Sequence, residues 1–410
     1  MNSKTQKNIN RWYIAIAGIL MQLCLGTVYG WSVFSKPLAN LNGWNITEVT
    51  LAFTIAIAAV GLSAAFGGML LEKIGPRHLS LLGGVLFGLG TILTGFAVGK
   101  SSLWLMYVTY GVIAGTGIGM GYVTPISVLV KWFPDKKGLI TGLAVMGFGF
   151  GAFFMTTFTP NLIESIGVSS AFYLLGLIFF IIIVISSRYM INPSSNSDKE
   201  TVGGKNKNKK TEMVVTLSDA VKMKEFWILW LMLFINISAG ISLISQASPM
   251  VEDIYGQTAA AAGAIIGIFS IFNGLGRLFW SGISDIIGRK TVFIILFATQ
   301  AVVFLIIPHV SSLIVFVILA CYIYSCYGGG FATMPAFAAD VFGEKNIGPI
   351  YGWILTAWSA AGVAGPIMYS KIREITQSYS QALSITGIIL VAALLLPIFI
   401  TGKSAREKSL

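Results

Sequence analysis

The ten residues Gly68-Met-Leu-Leu-Glu-Lys-Ile-Gly-Pro-Arg77 return 213 positions later as Ser281-Gly-Ile-Ser-Asp-Ile-Ile-Gly-Arg-Lys290. Each copy sets an acid (Glu72, Asp285) where an apolar run ends, then a glycine (Gly75, Gly288), then cations (Arg77; Arg289 and Lys290). That order suits a tight charged turn between two helices. Further matches share nearly the same spacing. Tyr122-Val-Thr-Pro125 answers Ala332-Thr-Met-Pro335 at an offset of 210, and Phe133-Pro-Asp135-Lys136 answers Phe342-Gly-Glu344-Lys345 at 209. Matches at close to one offset predict two halves on one plan. In a membrane carrier such repeats put a substrate site near the midplane, at the interface between the halves.

Composition supports a membrane location. The 410 residues are 55% hydrophobic and 10% charged, with mean hydropathy +0.81, whereas soluble domains are about 25% charged. Twelve apolar stretches of roughly 18 to 28 residues, each able to cross a bilayer as a helix, run from near 12–35 to near 382–402. The second and third are expected near 48–71 and 79–99, with a loop between them. The first stretch is too long for a signal-peptide core and has no small-residue cleavage site after it, so it is expected to remain as a span. The polar, basic stretch 191–223 divides the spans six and six and reads as a flexible linker. The expected organisation is all-α: residues 1–190 and 224–410 form two pseudo-symmetric six-helix bundles joined by 191–223.

The net charge of +11 raises the possibility of nucleic-acid binding, but its placement gives another account. With the N-terminus set on the cytoplasmic side, 22 of the 27 Lys and Arg fall inside, four fall outside, and Arg277 lies within a span. This bias predicts cytoplasmic termini and makes the charge topological. The sixteen acids all fall in loops or at helix ends. Cys24, Cys321 and Cys326 lie in apolar runs without metal-ligand spacing, and His78 and His309 fall at opposite membrane ends. Neither a metal, a cofactor nor a nucleophile–base constellation is expected, and the chain does not read as an enzyme.

Arg277 is the anomaly. In Phe272-Asn-Gly-Leu-Gly-Arg-Leu-Phe-Trp280 it stands among glycines and aromatics, and a charge inside a span marks a functional site by default. The competing reading is that its long side chain snorkels to the cytoplasmic face, Asp285 lying eight residues, about 12 Å, further along the helix. Asn273, one turn away on the same face, gives it a polar neighbour at depth.

The Gly68–Arg77 motif and its echo resemble the loop 2–3 signature of the major facilitator superfamily. Its acid and cations imply a latch formed by Glu72, Arg77, Asp285 and Arg289. Further stretches resemble the oxalate/formate antiporter family, whose wider relatives are the monocarboxylate transporters: Gly26-Thr-Val-Tyr29-Gly-Trp31, Gly115-Thr-Gly117-Ile-Gly119-Met-Gly121-Tyr122, Lys131-Trp-Phe-Pro-Asp-Lys-Lys-Gly138, and Gly276-Arg277. The resemblance implies an organic-anion carrier that works by alternating access. It also implies that Arg277 faces the substrate carboxylate and that Tyr29 and Tyr122 line the cavity. Trp358, Tyr327, Phe331 and Phe150 are candidate walls, with Met146 as an adaptable apolar contact.

The chain departs from the family pattern at two positions. Animal monocarboxylate transporters carry an aspartate where this chain has Asn273, and oxalate exchangers carry a span-eleven lysine at or near Trp358. One cation balances a monoanion but leaves a dianion under-compensated, at a cost of several kcal/mol. The expected cargo is therefore a small organic monoanion such as lactate, pyruvate or formate, moved across the plasma membrane by proton symport or anion exchange. The alternative is an oxalate/formate-type dicarboxylate antiporter. Glu252 and Asp253 are the nearest proton-carrying candidates. Membrane lipid is the expected surrounding, no nucleic acid is expected as a partner, and a monomer is expected to suffice.

Overall fold

A computed structural model describes residues 10–193 and 215–400. Those residues are helical with short connections: α1 (11–42), α2 (46–74), α3 (76–99), α4 (Leu103–Trp132), α5 (Lys137–Ile166), α6 (Val168–Ser187), α7 (Lys224–Tyr255), α8 (Ala259–Ile287), α9 (Arg289–His309), α10 (Leu313–Phe342), α11 (347–376) and α12 (Ser380–Phe399). The twelve helices form two six-helix bundles. Helices dominate because a bilayer core cannot hydrogen-bond exposed backbone, so each spanning segment must satisfy its own N–H and C=O groups. Most of the 191–223 stretch lies outside the described residues, as do Lys4, Lys7, Lys403, Arg406 and Lys408.

Several boundaries differ from the hydropathy reading. The loop expected between 71 and 79 is a single turn at Gly75, with φ 78 and ψ 163, so α2 and α3 run almost without interruption from Ile46 to Gly99. Gly288, at φ 88, performs the same function between α8 and α9. A positive φ of this kind is open to glycine at little steric cost. The first helix continues past residue 35 to Asn42 through one 3₁₀ turn at Thr27–Gly30. The eleventh is broken at Leu355 into Ile347–Ile354 and Thr356–Thr376.

The halves meet along two seams, α5 against α8 and α2 against α11. Both seams are lined by glycine because the helices approach backbone to backbone. A Cβ on Gly138 would lie 2.1 Å from the Ser281 carbonyl oxygen, and one on Gly68 would lie 2.4 Å from the Gly348 carbonyl oxygen. Close helix approach at small residues is a main source of packing energy in a bilayer, where burial from lipid gains little.

Candidate functional site

Arg277 does not snorkel. Its side chain is 1% exposed and turns into the seam. Nε donates to Asn273 Oδ1 at 3.0 Å, and Nη1 donates across the seam to the Val145 carbonyl oxygen of α5 at 2.9 Å. The guanidinium carbon stands 5.4 Å from the centroid of Phe331, over its ring, which adds a cation–π attraction. Glycines make the berth. A Cβ on Gly276 would strike Ser325 O at 2.2 Å and one on Gly328 would strike Asn273 O at 2.2 Å, so α8 and α10 touch along this stretch. Across the seam, Gly149 leaves the guanidinium room. Among the described residues no carboxylate forms an ion pair with Arg277. Both of its hydrogen-bond acceptors are neutral.

An aromatic cage adjoins the arginine. Trp358 of α11 stands 6.1 Å from Tyr29, 6.2 Å from Tyr122, 6.3 Å from Phe148 and 5.5 Å from Phe331, centroid to centroid. Tyr122 also meets Phe331 at 6.0 Å, edge to face. Tyr29, Tyr122 and Phe148 come from one half, and Phe331 and Trp358 from the other, so the cage closes only when the halves meet. Gly26 secures its N-terminal part: a Cβ there would overlap the Phe148 carbonyl oxygen at 1.8 Å, which presses Tyr29 and Phe148 to 5.3 Å. Tyr29 Oη, Tyr122 Oη, Tyr351 Oη and Trp358 Nε1 are buried without a hydrogen-bond partner among the described residues. The Tyr29 hydroxyl faces that of Tyr327, and the Tyr122 hydroxyl faces that of Tyr351, with Arg277 within electrostatic range of all four phenols.

One end of the molecule carries a charged clasp. Asp285 accepts hydrogen bonds from the Gly138 and Leu139 N–H groups, both at 2.9 Å. It thereby caps the N-terminus of α5, where unpaired N–H groups and the helix dipole favour an anion. Arg289 pairs with Asp285 and also reaches Asp340 at 3.2 Å and Ser284 Oγ. Lys137 of α5 bridges to Asp340 at 3.1 Å and Glu344 at 2.7 Å. The clasp thus ties α5 of one half to α8, α10 and the α10–α11 turn of the other.

The repeat of this clasp is not built the same way. Glu72 and Arg77 are exposed, and among the described residues neither joins an ion pair. At an offset of 210, Gly138-Leu139 corresponds to Gly348-Pro349, and proline has no N–H to offer an acid. Pro76 stands where Arg289 stands in the other copy. The α2–α11 seam instead packs Leu71 against Gly348.

The structure thus brings together Arg277, Asn273, Tyr29, Tyr122, Trp358, Tyr327 and Phe331. Met146 is half-buried next to Val145, whose carbonyl Arg277 uses. Phe150 packs over Gly274 instead of joining the cage, and Phe148 takes that place. On a helix the two residues of Gly147-Phe-Gly149-Phe-Gly151 point in nearly opposite directions, and which one faces the cage depends on the rotation of α5. Sequence reasoning also missed Tyr351, Lys137, Asp340 and Glu344. The i, i+7 spacing of Tyr351 and Trp358 was the available signal for the first. Asp253 pairs with Arg373 and accepts from the Tyr379 hydroxyl at 3.2 Å, at the end of the molecule opposite the clasp.

Known proteins share this architecture. The chain is 27% identical over 404 residues to the oxalate:formate antiporter of Oxalobacter formigenes, covering 97% of this chain and 93% of that protein. It is 22% identical to apicoplast pyruvate carrier 1 of Toxoplasma gondii, covering 87% of this chain and 82% of that one. The solved structure of FucP from E. coli in the outward conformation superposes with a TM-score of 0.72 at 14% identity, over 95% of this chain and 99% of that one. The Major Facilitator Superfamily model matches residues 14–366. The twelve-helix plan with its duplicated turn and seam-facing site thus places the chain in the major facilitator superfamily of membrane transporters.

Proposed function

We propose that the protein is a secondary transporter of small monocarboxylates, with Arg277 as the carboxylate-binding residue. The observation that carries this reading is a buried guanidinium at the seam of the two halves, held by two neutral acceptors and with no acid paired to it among the described residues. A buried charge without a counter-ion costs several kcal/mol, and a bound carboxylate offsets that cost. Tyr29, Tyr122 and Trp358 then orient the anion, with Asn273 fixing the arginine's rotamer. Because the cage is assembled from both halves, binding couples to their closure, and rocking of the two bundles gives alternating access.

In this reading residues 1–190 and 224–410 are the moving units. The clasp end is cytoplasmic, as the distribution of Lys and Arg suggests, and the protein works as a monomer in the plasma membrane. A second reading has support in the 27% identity to the oxalate:formate antiporter over nearly the whole chain. Charge opposes it: α11 presents Trp358 and no cation toward the cage, so a dianion would face one positive charge.

The test is uptake of labelled lactate, pyruvate, formate and oxalate into proteoliposomes, with and without a pH gradient, for the wild type and Arg277→Ala. Saturable monocarboxylate uptake that the substitution abolishes is the expected result. Monocarboxylate uptake that survives the substitution overturns the role of Arg277. Oxalate uptake exceeding that of every monocarboxylate favours the second reading.

A further inference from the structure

The cage holds more hydrogen-bonding capacity than one carboxylate on Arg277 would use. Tyr122 Oη, Tyr351 Oη and Trp358 Nε1 are all buried and make no well-formed hydrogen bond among the described residues. Tyr351 is 0% exposed, and no family motif drew attention to it. It stands on α11 seven residues before Trp358; Leu355 between them keeps right-handed helical angles, φ −64 and ψ −15, so the two side chains share one face about 10 Å apart along the axis. Tyr351 therefore lies between the cage and the charged clasp. Its hydroxyl lies close enough to that of Tyr122 from the other half for a weak pairing, but neither makes a well-formed hydrogen bond. An indole N–H can only donate, and a phenol can donate as well as accept.

We propose that Tyr351, together with Tyr122, recognises a second oxygen on the substrate, the C2 carbonyl or hydroxyl of a 2-oxo or 2-hydroxy monocarboxylate. This inference rests on the monocarboxylate reading above and assigns a specificity-determining role to a residue outside the arginine's own contacts. A plain alkanoate places a methylene against the phenols and leaves them desolvated. Sites built to hydrogen-bond a substrate oxygen discriminate strongly against the analogue lacking it, because their own polar groups are then left unpaired. A neutral carbonyl or hydroxyl also satisfies these donors without adding a negative charge. A second carboxylate would bring a charge that the site has no cation to balance.

The experiment compares labelled pyruvate and propionate in proteoliposomes for wild type, Tyr351→Phe, Tyr122→Phe and Arg277→Ala. Wild type is expected to favour pyruvate over propionate by at least about tenfold in kcat/KM. Tyr351→Phe is expected to bring that ratio down roughly tenfold through loss of pyruvate transport, and Tyr122→Phe to act in the same direction. Equal wild-type kcat/KM for the two acids overturns the proposal. So does a Tyr351→Phe protein that loses both activities in proportion, which is the signature of a structural role. Failure of the underlying reading looks different: wild type carries neither acid, or Arg277→Ala carries both.

Discussion

Replacing Asp285 by alanine should unlock the charged end of the transporter. In the closed clasp its carboxylate accepts two backbone N–H groups from the first turn of α5, each at 2.9 Å, and pairs with Arg289. Hydrogen bonds to a charged group contribute roughly 1.5–3 kcal/mol each. The Asp285 side chain is 20% exposed, so water can take over part of what is lost, and Arg289 keeps Asp340 as a partner. A net loss of about 2 kcal/mol from the closed state follows. It lowers the closed-to-open ratio roughly 30-fold. Spin labels at the exposed residues Pro134 and Lys345, one on each half at this end, report the opening by pulsed electron–electron distance measurement in nanodiscs. Cys24, Cys321 and Cys326 are buried and are poor targets for the labelling reagent. The alanine variant should shift the distance distribution outward, and Asp285→Asn, which keeps one acceptor, should fall between it and wild type. A distribution that coincides with wild type in the absence of substrate refutes the clasp as a stabiliser of the closed end.

Other perturbations follow from the same contacts. Glu72→Gln should leave that distance distribution close to wild type, because Glu72 faces no N–H of Pro349 and forms no ion pair among the described residues; a shift as large as that of Asp285→Ala would contradict the asymmetry of the two turns. Gly142→Ala puts a methyl group 1.9 Å from Ser281 Oγ and 2.9 Å from the Arg277 carbonyl oxygen, and the backbone contact should push α5 and α8 apart and lower transport, whereas Gly282→Ala meets only Leu139 Cδ1 at 3.7 Å and should be tolerated; transport assays that rank the two variants the other way count against the seam packing. Arg277→Lys keeps the charge but loses the planar fork that reaches Asn273 and Val145 together, so KM for a carboxylate should rise at least about tenfold, and an unchanged KM would be the contrary result. The hydrogen bonds from Arg11 hold the Asp135 carboxyl below the usual carboxylate range. Their stabilisation is therefore present above the unfolded-state pKa and lost as pH falls through the lowered value, so thermal melting in detergent should show Asp135→Asn converging on wild type in acid. Divergence that grows in acid would reverse the sign.

Much of this fold was legible in the sequence because bilayer physics constrains it tightly. Length and hydropathy define a spanning helix, and the repeat at 213, 210 and 209 residues defined its duplication. The turn at Gly75 was less legible, since a glycine with positive φ can replace a whole loop and hydropathy does not report φ. The arginine was visible as a lone charge, but its partners were only half visible. Asn273 shares a helix with it and follows from a one-turn spacing. Val145 contributes a backbone carbonyl, and no side-chain motif signals that. The clasp residues Lys137, Asp340 and Glu344 were hidden for another reason. Each looked like an ordinary charge at a helix end, and what sets them apart is that the seam brings Lys137 within 3.1 Å of Asp340 and 2.7 Å of Glu344. The unequal second turn was encoded in Pro76 and Pro349, but proline's missing N–H matters only once the facing acid is known.

The neutral partners of Arg277 bear on how a carrier of this kind would couple its cargo. Asn273 and the Val145 carbonyl orient the guanidinium without neutralising it. Emptying the site leaves a buried cation over the Phe331 ring. Closing the cage around that cation must therefore proceed against an uncompensated charge. If closure of the empty site is harder by about 3 kcal/mol, at the modest end of buried-charge costs, the empty carrier reorients roughly a hundredfold more slowly than the loaded one. Exchange of one carboxylate for another would then greatly outpace net movement. Proton symport would need a titratable group to relieve the same charge, and Asp253 is committed to Arg373 and Tyr379 at the end away from the clasp. Efflux of labelled pyruvate from loaded proteoliposomes should accelerate roughly a hundredfold when unlabelled pyruvate is supplied outside. Equal rates with and without external substrate would mean that the empty site closes freely, and that the charge on Arg277 is balanced by something other than the cargo.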